Sequence, residues 1–315
     1  MKIISAFLMT LFLCAAATGQ QKTDLKLNLE KNKTYRLRSV TEQTIIQTIN
    51  GNQQTIESGA TYVLSLKMVD ANRAFMVAEI HIDTLASKTN TMGKTVVMTS
   101  ASAGNVESKE TSDIMSYFMN RITQNPVYAK IDSTGKVIEL INSKMLSDMI
   151  LRDTGKITVT GPTAPALKKQ VADLVGNTSL INIIEMFTHY LPGKEVETGD
   201  KWNIITTTNA GGMSLDITSA CQLNQVSGGL ADISVESAIK AAPNAAPMEM
   251  GSAKITYDDI SGLTKSTLHV NAQTGLMENL ASNTHITGNL SVSMPGMSMQ
   301  IPMDITSTGK INRME

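Results

Sequence analysis

Residues 163–202 read TAPALKKQVADLVGNTSLINIIEMFTHYLPGKEVETGDKW. Leu167, Val171, Leu174 and Val175 recur at helix spacing, as do Leu180, Ile183, Ile184, Phe187 and Leu191. The spacing predicts two helices, Pro165–Val175 and Ser179–Leu191. Pro165 suits a first turn, where a missing N–H costs nothing. Gly176 and Asn177 break the first helix, Thr178 or Ser179 is placed to cap the second, and Pro192-Gly193 stops it. Each apolar stripe needs a surface to face, and a sheet is the obvious partner.

Strand patterns supply that sheet on both sides. Leu25, Leu27 and Leu29 alternate with polar residues, as in an edge strand. A longer strand runs from Tyr35 to Ile49 and ends at Asn50-Gly51, a pair that tolerates the positive φ of a tight hairpin turn. Tyr62, Leu64, Leu66 and Met68 alternate on the return, although 53–60 is too polar to place. Phe75 and Val77 oppose Met76, Ala78, Ile80 and Ile82. Residues 84–110 are rich in Ser, Thr and Asn and read as flexible surface, with a short strand near Val96 to Met98. Ile114, Met115, Phe118, Met119 and Ile122 place a helix over 111–123. A hairpin, Val127–Asp132 with Lys136–Leu140, turns at Ser133-Thr134-Gly135, and a helix spans Ser143–Leu151. A brief strand is expected at Ile157–Thr160.

The second run of strands begins at Trp202, after the Gly199-Asp200 turn. Gly211-Gly212, Ser227-Gly228-Gly229 and Thr274-Gly275 punctuate it. Ala231, Ile233, Val235 and Ile239 share one parity and Asp232, Ser234, Glu236 and Lys240 the other, which is antiparallel-sheet behaviour. Residues 242–251, APNAAPMEMG, read as a mobile loop. A two-residue turn at Thr274-Gly275 sets His269 opposite Leu280 and His285 opposite Thr264. The last strand, 297–308, turns Met297, Met299, Ile301, Met303 and Ile305 to one side, and Pro302 marks an edge or a bulge. IDSTGK (131–136) and VNAQTGL (270–276) echo each other through Thr-Gly.

The first nineteen residues read as an export signal: Lys2, the apolar SAFLMTLFL of 5–13, then small residues to Gly19. That apolar run is shorter than a spanning helix needs. Leu13 before Cys14 is too bulky for a lipid-anchor signal. The predicted location is the periplasm or the cell exterior. With 27 basic and 28 acidic residues and no basic block, neither nucleic acid nor an anionic membrane surface is an expected partner. Once the signal is removed, Cys221 is the remaining cysteine, so no internal disulfide forms, and strand parity turns its thiol inward.

Catalytic constellations do not emerge. His81, His189, His269 and His285 are scattered. Asp258-Asp259 are strand neighbours that point to opposite faces. Met248, Met250, Met294, Met297, Met299 and Met303 resemble a soft-metal stripe suited to Cu(I), against the plainer reading of core filling. No cofactor is expected, and an enzyme is the least favoured class.

LNLEKNKTYRLR (27–38), FTHYLPGKEVETGDKW (187–202) and VNAQTGLMENL (270–280) together resemble an uncharacterised family of exported proteins from Bacteroidetes-type bacteria. The resemblance implies location and modular architecture and carries no activity. The order strands, helices, strands is similar to the half-open β-barrels of periplasmic lipoprotein carriers, an analogy of fold alone. The expected fold is α+β: a curved, half-barrel-like, mostly antiparallel sheet with a central helical insertion on its concave face. Residues 20–162 form one sheet module, 163–194 the helices and 195–315 a second module. The expected function is non-catalytic binding of a lipid or other apolar molecule in a sheet/helix cleft. Phe187, Leu191 and Trp202 would close that cleft, and Met297, Met299 and Met303 would line it. A structural or protein-interaction module of the cell envelope is the alternative.

Overall fold

The computed structural model describes residues 22–161, 163–210, 213–243, 245, 247–250 and 253–315. Residues 1–19, read above as an export signal with Cys14, together with Gly211, Gly212 and the side chain of Met250, lie outside the described residues.

The first strands are β1 (Thr23–Leu25), β2 (Thr34–Ile49), β3 (Asn52–Ala71), β4 (Met76–Thr91) and β5 (Lys94–Thr99). Helix α1 (Thr111–Thr123), the hairpin β6 (Val127–Ile131) and β7 (Val137–Leu140), and α2 (Ser143–Leu151) follow. A 3-10 turn, Arg152–Lys156, precedes α3 (Thr163–Leu174) and α4 (Asn177–Thr188). The second run comprises β8 (Lys194–Val196), β9 (Lys201–Ala210), β10 (Met213–Ser227), β11 (Leu230–Ala241), β12 (Met248–Met250), β13 (Ala253–Asn271), β14 (Met277–Met294) and β15 (Met297–Met314).

Thirteen strands make one antiparallel sheet in the order β7-β6-β4-β3-β2-β15-β14-β13-β11-β10-β9, with β5 added to β4 and β12 to β13. The two runs join where β15 pairs with β2, from Met303↔Gln47 to Met314↔Arg36. The expected half-barrel does not form. The sheet is open, neither closed nor strongly curled, and its terminal strands β7 and β9 do not pair with each other. Helix α4 meets both ends instead: Glu185 Oε1 accepts the Val137 N–H at 2.9 Å, and Asn182 Nδ2 donates to Thr208 Oγ1 at 3.0 Å.

Helix length decides how much of the sheet is covered. Strand β3 has 20 residues, about 65 Å at ~3.3 Å per residue. Helix α4 has 12, about 18 Å. The helices therefore cover one end of the long strands. There Leu37, Leu64, Leu66, Ile80 and Ile82 meet Phe118, Ile184 and Phe187 in the main core, each at most 1% exposed. Further along the same sheet face, strand polarity changes. Ser219 and Ser237 hydrogen-bond across strands at 2.8 Å, as do Thr264 and Thr284. Past these pairs lies a second cluster, Leu215, Ile239, Ile260, Ile286, Met303 and Ile305, made of strand residues alone.

Two predicted turns become the clamp of the covered end. The Leu27 N–H reaches Ser133 O and the Asn28 N–H reaches Thr274 O, both at 2.8 Å. The Leu191 N–H reaches Thr134 O at 3.4 Å, and the Gly193 N–H reaches Leu25 O at 3.1 Å. Thus the Thr-Gly echo marks two turns that grip the same pair of segments, 25–28 and 188–193. At Gly135 (φ +86°) an added Cβ would lie 1.8 Å from Thr188 O, and at Gly275 (φ +68°) 2.1 Å from Lys26 O. Only glycine fits such backbone contact at positive φ.

Several local expectations change. Helix α4 ends at Thr188 rather than Leu191, because a residue before proline is pushed out of helical conformation and Leu191 precedes Pro192. Gly176 occupies its N-cap, and the Ser179 hydroxyl donates to Asp173 O instead of capping. Residues 84–99 are a hairpin of β4 and β5 turning at Met92-Gly93, both at positive φ, not flexible surface. Residues 53–60 belong to β3, and 157–160 form no strand. The 53–60 stretch lacks the alternation that announces a half-buried strand, whereas Ile157–Thr160 alternates but finds no strand partner among the described residues. Strand β1 stops at Leu25, although Leu27 and Leu29 stay buried. Within 242–251, Met248–Met250 pairs with Ala253–Ile255. A bulge at His269/Val270 shifts the predicted register by one, so His269 faces Asn279 and His285 faces Leu263. Pro302 lies just past the β2 pairing, where β15 is bonded on the β14 side at Asn289.

Candidate functional site

Helix α4 presents two neighbouring stripes. Leu180, Ile184 and Phe187 face the core and are fully buried. Asn182, Glu185, Met186 and His189 follow the same i, i+3, i+4, i+7 spacing one step around the helix and line a cleft. Its floor is the sheet: Ile204, Thr206 and Thr208 of β9, Ile217, Ser219 and Cys221 of β10, and Val235, Leu268, Met277 and Leu280 from the strands beyond. The cleft encloses about 290 Å³, at the small end of ligand pockets, roughly 300–1,000 Å³.

The polar groups of this cleft are mostly engaged. Ser219 bonds Ser237, Asn182 bonds Thr208, and Tyr190 Oη donates to Gly275 O at 2.9 Å. Burial pushes the Tyr190 phenol far above its ordinary value and the Cys221 thiol up to about 12. Cys221, 1% exposed, is a neutral wall residue. His189 differs. Its side chain is 10% exposed, and its Nδ1 lies 3.5 Å from Glu185 Oε2, too long for a good hydrogen bond. That nitrogen is buried without a hydrogen-bond partner among the described residues.

None of the six residues singled out in the sequence lines this cleft. Phe187 and Leu191 are core residues at 0% and 1% exposure. Trp202 is half-buried beside them and donates its Nε1–H to Tyr190 O at 3.1 Å, tying β9 to the segment after α4. Met303 belongs to the strand-only cluster, Met299 is half-buried, and Met297 is 57% exposed. The structure brings the first three together and sets the methionines apart. The cleft residues were hidden because serine, threonine and histidine on strand or helix faces read as solvated positions. The available signal was the second stripe of α4, one residue behind the apolar one.

A larger hollow of about 740 Å³, bounded by Glu42, Glu57, Lys88, Asn90, Thr306 and Thr308 among others, has no apolar side chain in its lining among the described residues. It offers wet polar surface and no desolvated focus. The histidines stay apart: His81 touches Glu79 at 3.0 Å, His269 touches Asn279 at 2.7 Å, and His285 touches Asp304 at 3.1 Å. Among the described residues no group of three or more His, Cys, Asp or Glu is placed to hold a metal ion. No described helix is long and apolar enough to cross a membrane.

Three solved structures are similar in part. A lipovitellin structure concerned with lipid–protein interactions matches at 10% identity and a TM-score of 0.46, over 91% of this chain and 25% of the other. The chain thus spans about a quarter of that protein's length. An outer membrane channel from Pseudomonas putida F1 matches at 8% identity and a TM-score of 0.28, over 92% and 98% of the two chains. OccAB4 from Acinetobacter baumannii matches at 7% identity and a TM-score of 0.23, over 90% and 99%. No curated protein matches. The family model that does match spans residues 73–277, from the turn before β4 to the start of β14, and takes in the helices and all of the named cleft lining except Leu280. On that match the chain belongs to a family of unknown function, DUF6263.

Proposed function

We propose that this is an exported, non-catalytic binding protein that shelters an apolar molecule between α4 and the sheet. One observation carries the reading: a cleft of about 290 Å³ in which Met186, Ile204, Val235, Leu268, Met277 and Leu280 supply apolar wall between Ser and Thr positions. Apolar walls with a few placed polar groups are the usual composition of a small-molecule site. The methionines adapt to irregular ligand shape. Native mass spectrometry on protein taken from its own envelope fraction, followed by organic extraction, tests it. The expected result is a stoichiometric hydrophobic adduct that disappears in Thr206→Trp, which fills the cleft from β9. Protein that carries no adduct and takes up nothing from a lipid panel overturns it.

A second reading, a protein-interaction module of the envelope, draws support from β9. This ten-residue strand ends the sheet, and Ile205 stands 71% exposed on it. Unpaired edges of this kind template pairing with another chain. An adduct-free protein that co-purifies with a stoichiometric partner, and releases it on Ile205→Lys, favours this reading.

A further inference from the structure

We infer that the cleft's ligand carries an uncharged hydrogen-bonding head, a hydroxyl or carbonyl, seated at His189, and that an anionic head is rejected. This rests on the apolar-ligand reading and specifies its chemistry. The argument begins with an unfinished hydrogen bond. Among the described residues His189 Nδ1 is buried without a hydrogen-bond partner, Glu185 Oε2 standing 3.5 Å away, and the side chain is nine-tenths buried in the cleft wall. The ring lines the cleft, and an unpaired buried nitrogen costs free energy that a ligand group of the right kind recovers once the imidazole turns toward it. Several neighbouring polar anchors are taken: Asn182 by Thr208, Ser219 by Ser237, Tyr190 by Gly275; Thr206 and Ser266 line the cleft as small hydroxyls.

Charge decides which head fits. Among the described residues no lysine or arginine lines the cleft. Its carboxylate, Glu185, is 13% exposed, accepts the Val137 N–H at 2.9 Å and stands 3.5 Å from the imidazole. A carboxylate or phosphate entering here meets a like charge in a poorly hydrated space with no free cation to offset it. A protonated His189 would pair with Glu185 at 3.5 Å, which cancels the like charge and still leaves no net cation for an anionic head. A neutral hydroxyl meets no such penalty, and it can donate to or accept from whichever ring nitrogen faces it.

Isothermal titration of the full chain at about pH 8, where decanoate is ionised, compares 1-decanol with decanoate. The expected result is decanol binding at least about tenfold tighter than decanoate. His189→Leu weakens decanol about fivefold, His189→Gln restores most of it, and Glu185→Gln narrows the gap between the two ligands. Decanoate binding as tightly as decanol, or a folded His189→Leu with unchanged decanol affinity, overturns the head-group assignment and leaves the apolar cleft standing. Binding of neither ligand, by wild type as well as the variants, removes the cleft reading and this inference with it. Should His189→Leu fail to fold, the alcohol-to-acid ratio on wild type decides alone.

Discussion

At one end of the long strands, Gly135 and Gly275 turn against the backbone of other segments; at the other end, Gly51, Gly93 and Gly296 turn with nothing within 4 Å of an added Cβ. The same sheet face runs between them. At the first end it is covered by four helices and by the 25–28 and 188–193 segments, and its core residues are at or near zero exposure. At the second end the cluster around Ile286 and Ile305 consists of strand residues only. The difference teaches where stability and binding reside. Packing between layers holds the first end. The second is held by cross-strand ladders and neighbouring side chains, a weaker unit of roughly 0.2–1 kcal/mol per pair. The cleft lies at the border between these regimes, where α4 overhangs strands whose side chains change from aliphatic to Ser and Thr.

The contrast can be broken most directly at its turns. Gly135→Ala should cost about 5 kcal/mol, because positive φ and a clash with Thr188 O act together. Urea denaturation reads this, and a midpoint equal to wild type means that the clamp yields and the covered end is not special. Phe187→Ala should cost about 4 kcal/mol as a buried aromatic deletion. If it instead leaves stability unchanged and abolishes ligand uptake, Phe187 is a binding residue and not a core residue. Ile305→Ala, 3% exposed in the strand-only cluster, should cost about 2–3 kcal/mol. A loss equal to that of Phe187→Ala makes the two ends equivalent.

The smaller effects sharpen the picture. Folding holds the Cys221 thiol neutral up to about pH 12, against an ordinary value of 9.0. Between those limits the unfolded chain has released a proton that the folded chain retains, so stability falls as pH rises, by at most about 1.4 kcal/mol per pH unit from this group. Cys221→Ala should flatten that part of the pH profile, with the buried tyrosines supplying the remainder. A profile identical to wild type shows that the thiol reaches water through the cleft. Gly51→Ala, at φ +80° in open space, should cost about 1 kcal/mol. A loss like that of Gly135→Ala means that the free tips are also packed against something.

Legibility follows the same division. Helices α1 and α2 match their predicted spans, Thr111–Thr123 and Ser143–Leu151, because strong i, i+3, i+4 stripes are local. The inward parity of Ile301, Met303 and Ile305 was equally plain, as was the Asn50-Gly51 turn at φ +51° and +80°. The polar strand segments 53–60 and 84–91 were not, since two wet faces leave no period to read. The site was least legible of all. Phe187 and Leu191 drew notice through apolarity, which in this fold means core, whereas the cleft uses Asn182, Glu185, Met186 and His189 from the adjoining stripe.

By itself the sequence determined the helices and the apolar-striped strands, the dry side of most of them, and that the sheet is antiparallel. These properties depend on side chains a few residues apart, whose spacing is carried by the chain itself. The tertiary structure alone decided that β2 lies beside β15, that the sheet stays open, that two Thr-Gly turns clamp 25–28 and 188–193, and that His189 Nδ1 is buried in a cleft wall without a hydrogen-bond partner among the described residues. Those outcomes depend on backbone groups common to every residue and on contacts between segments distant in the chain, so no local pattern encodes them.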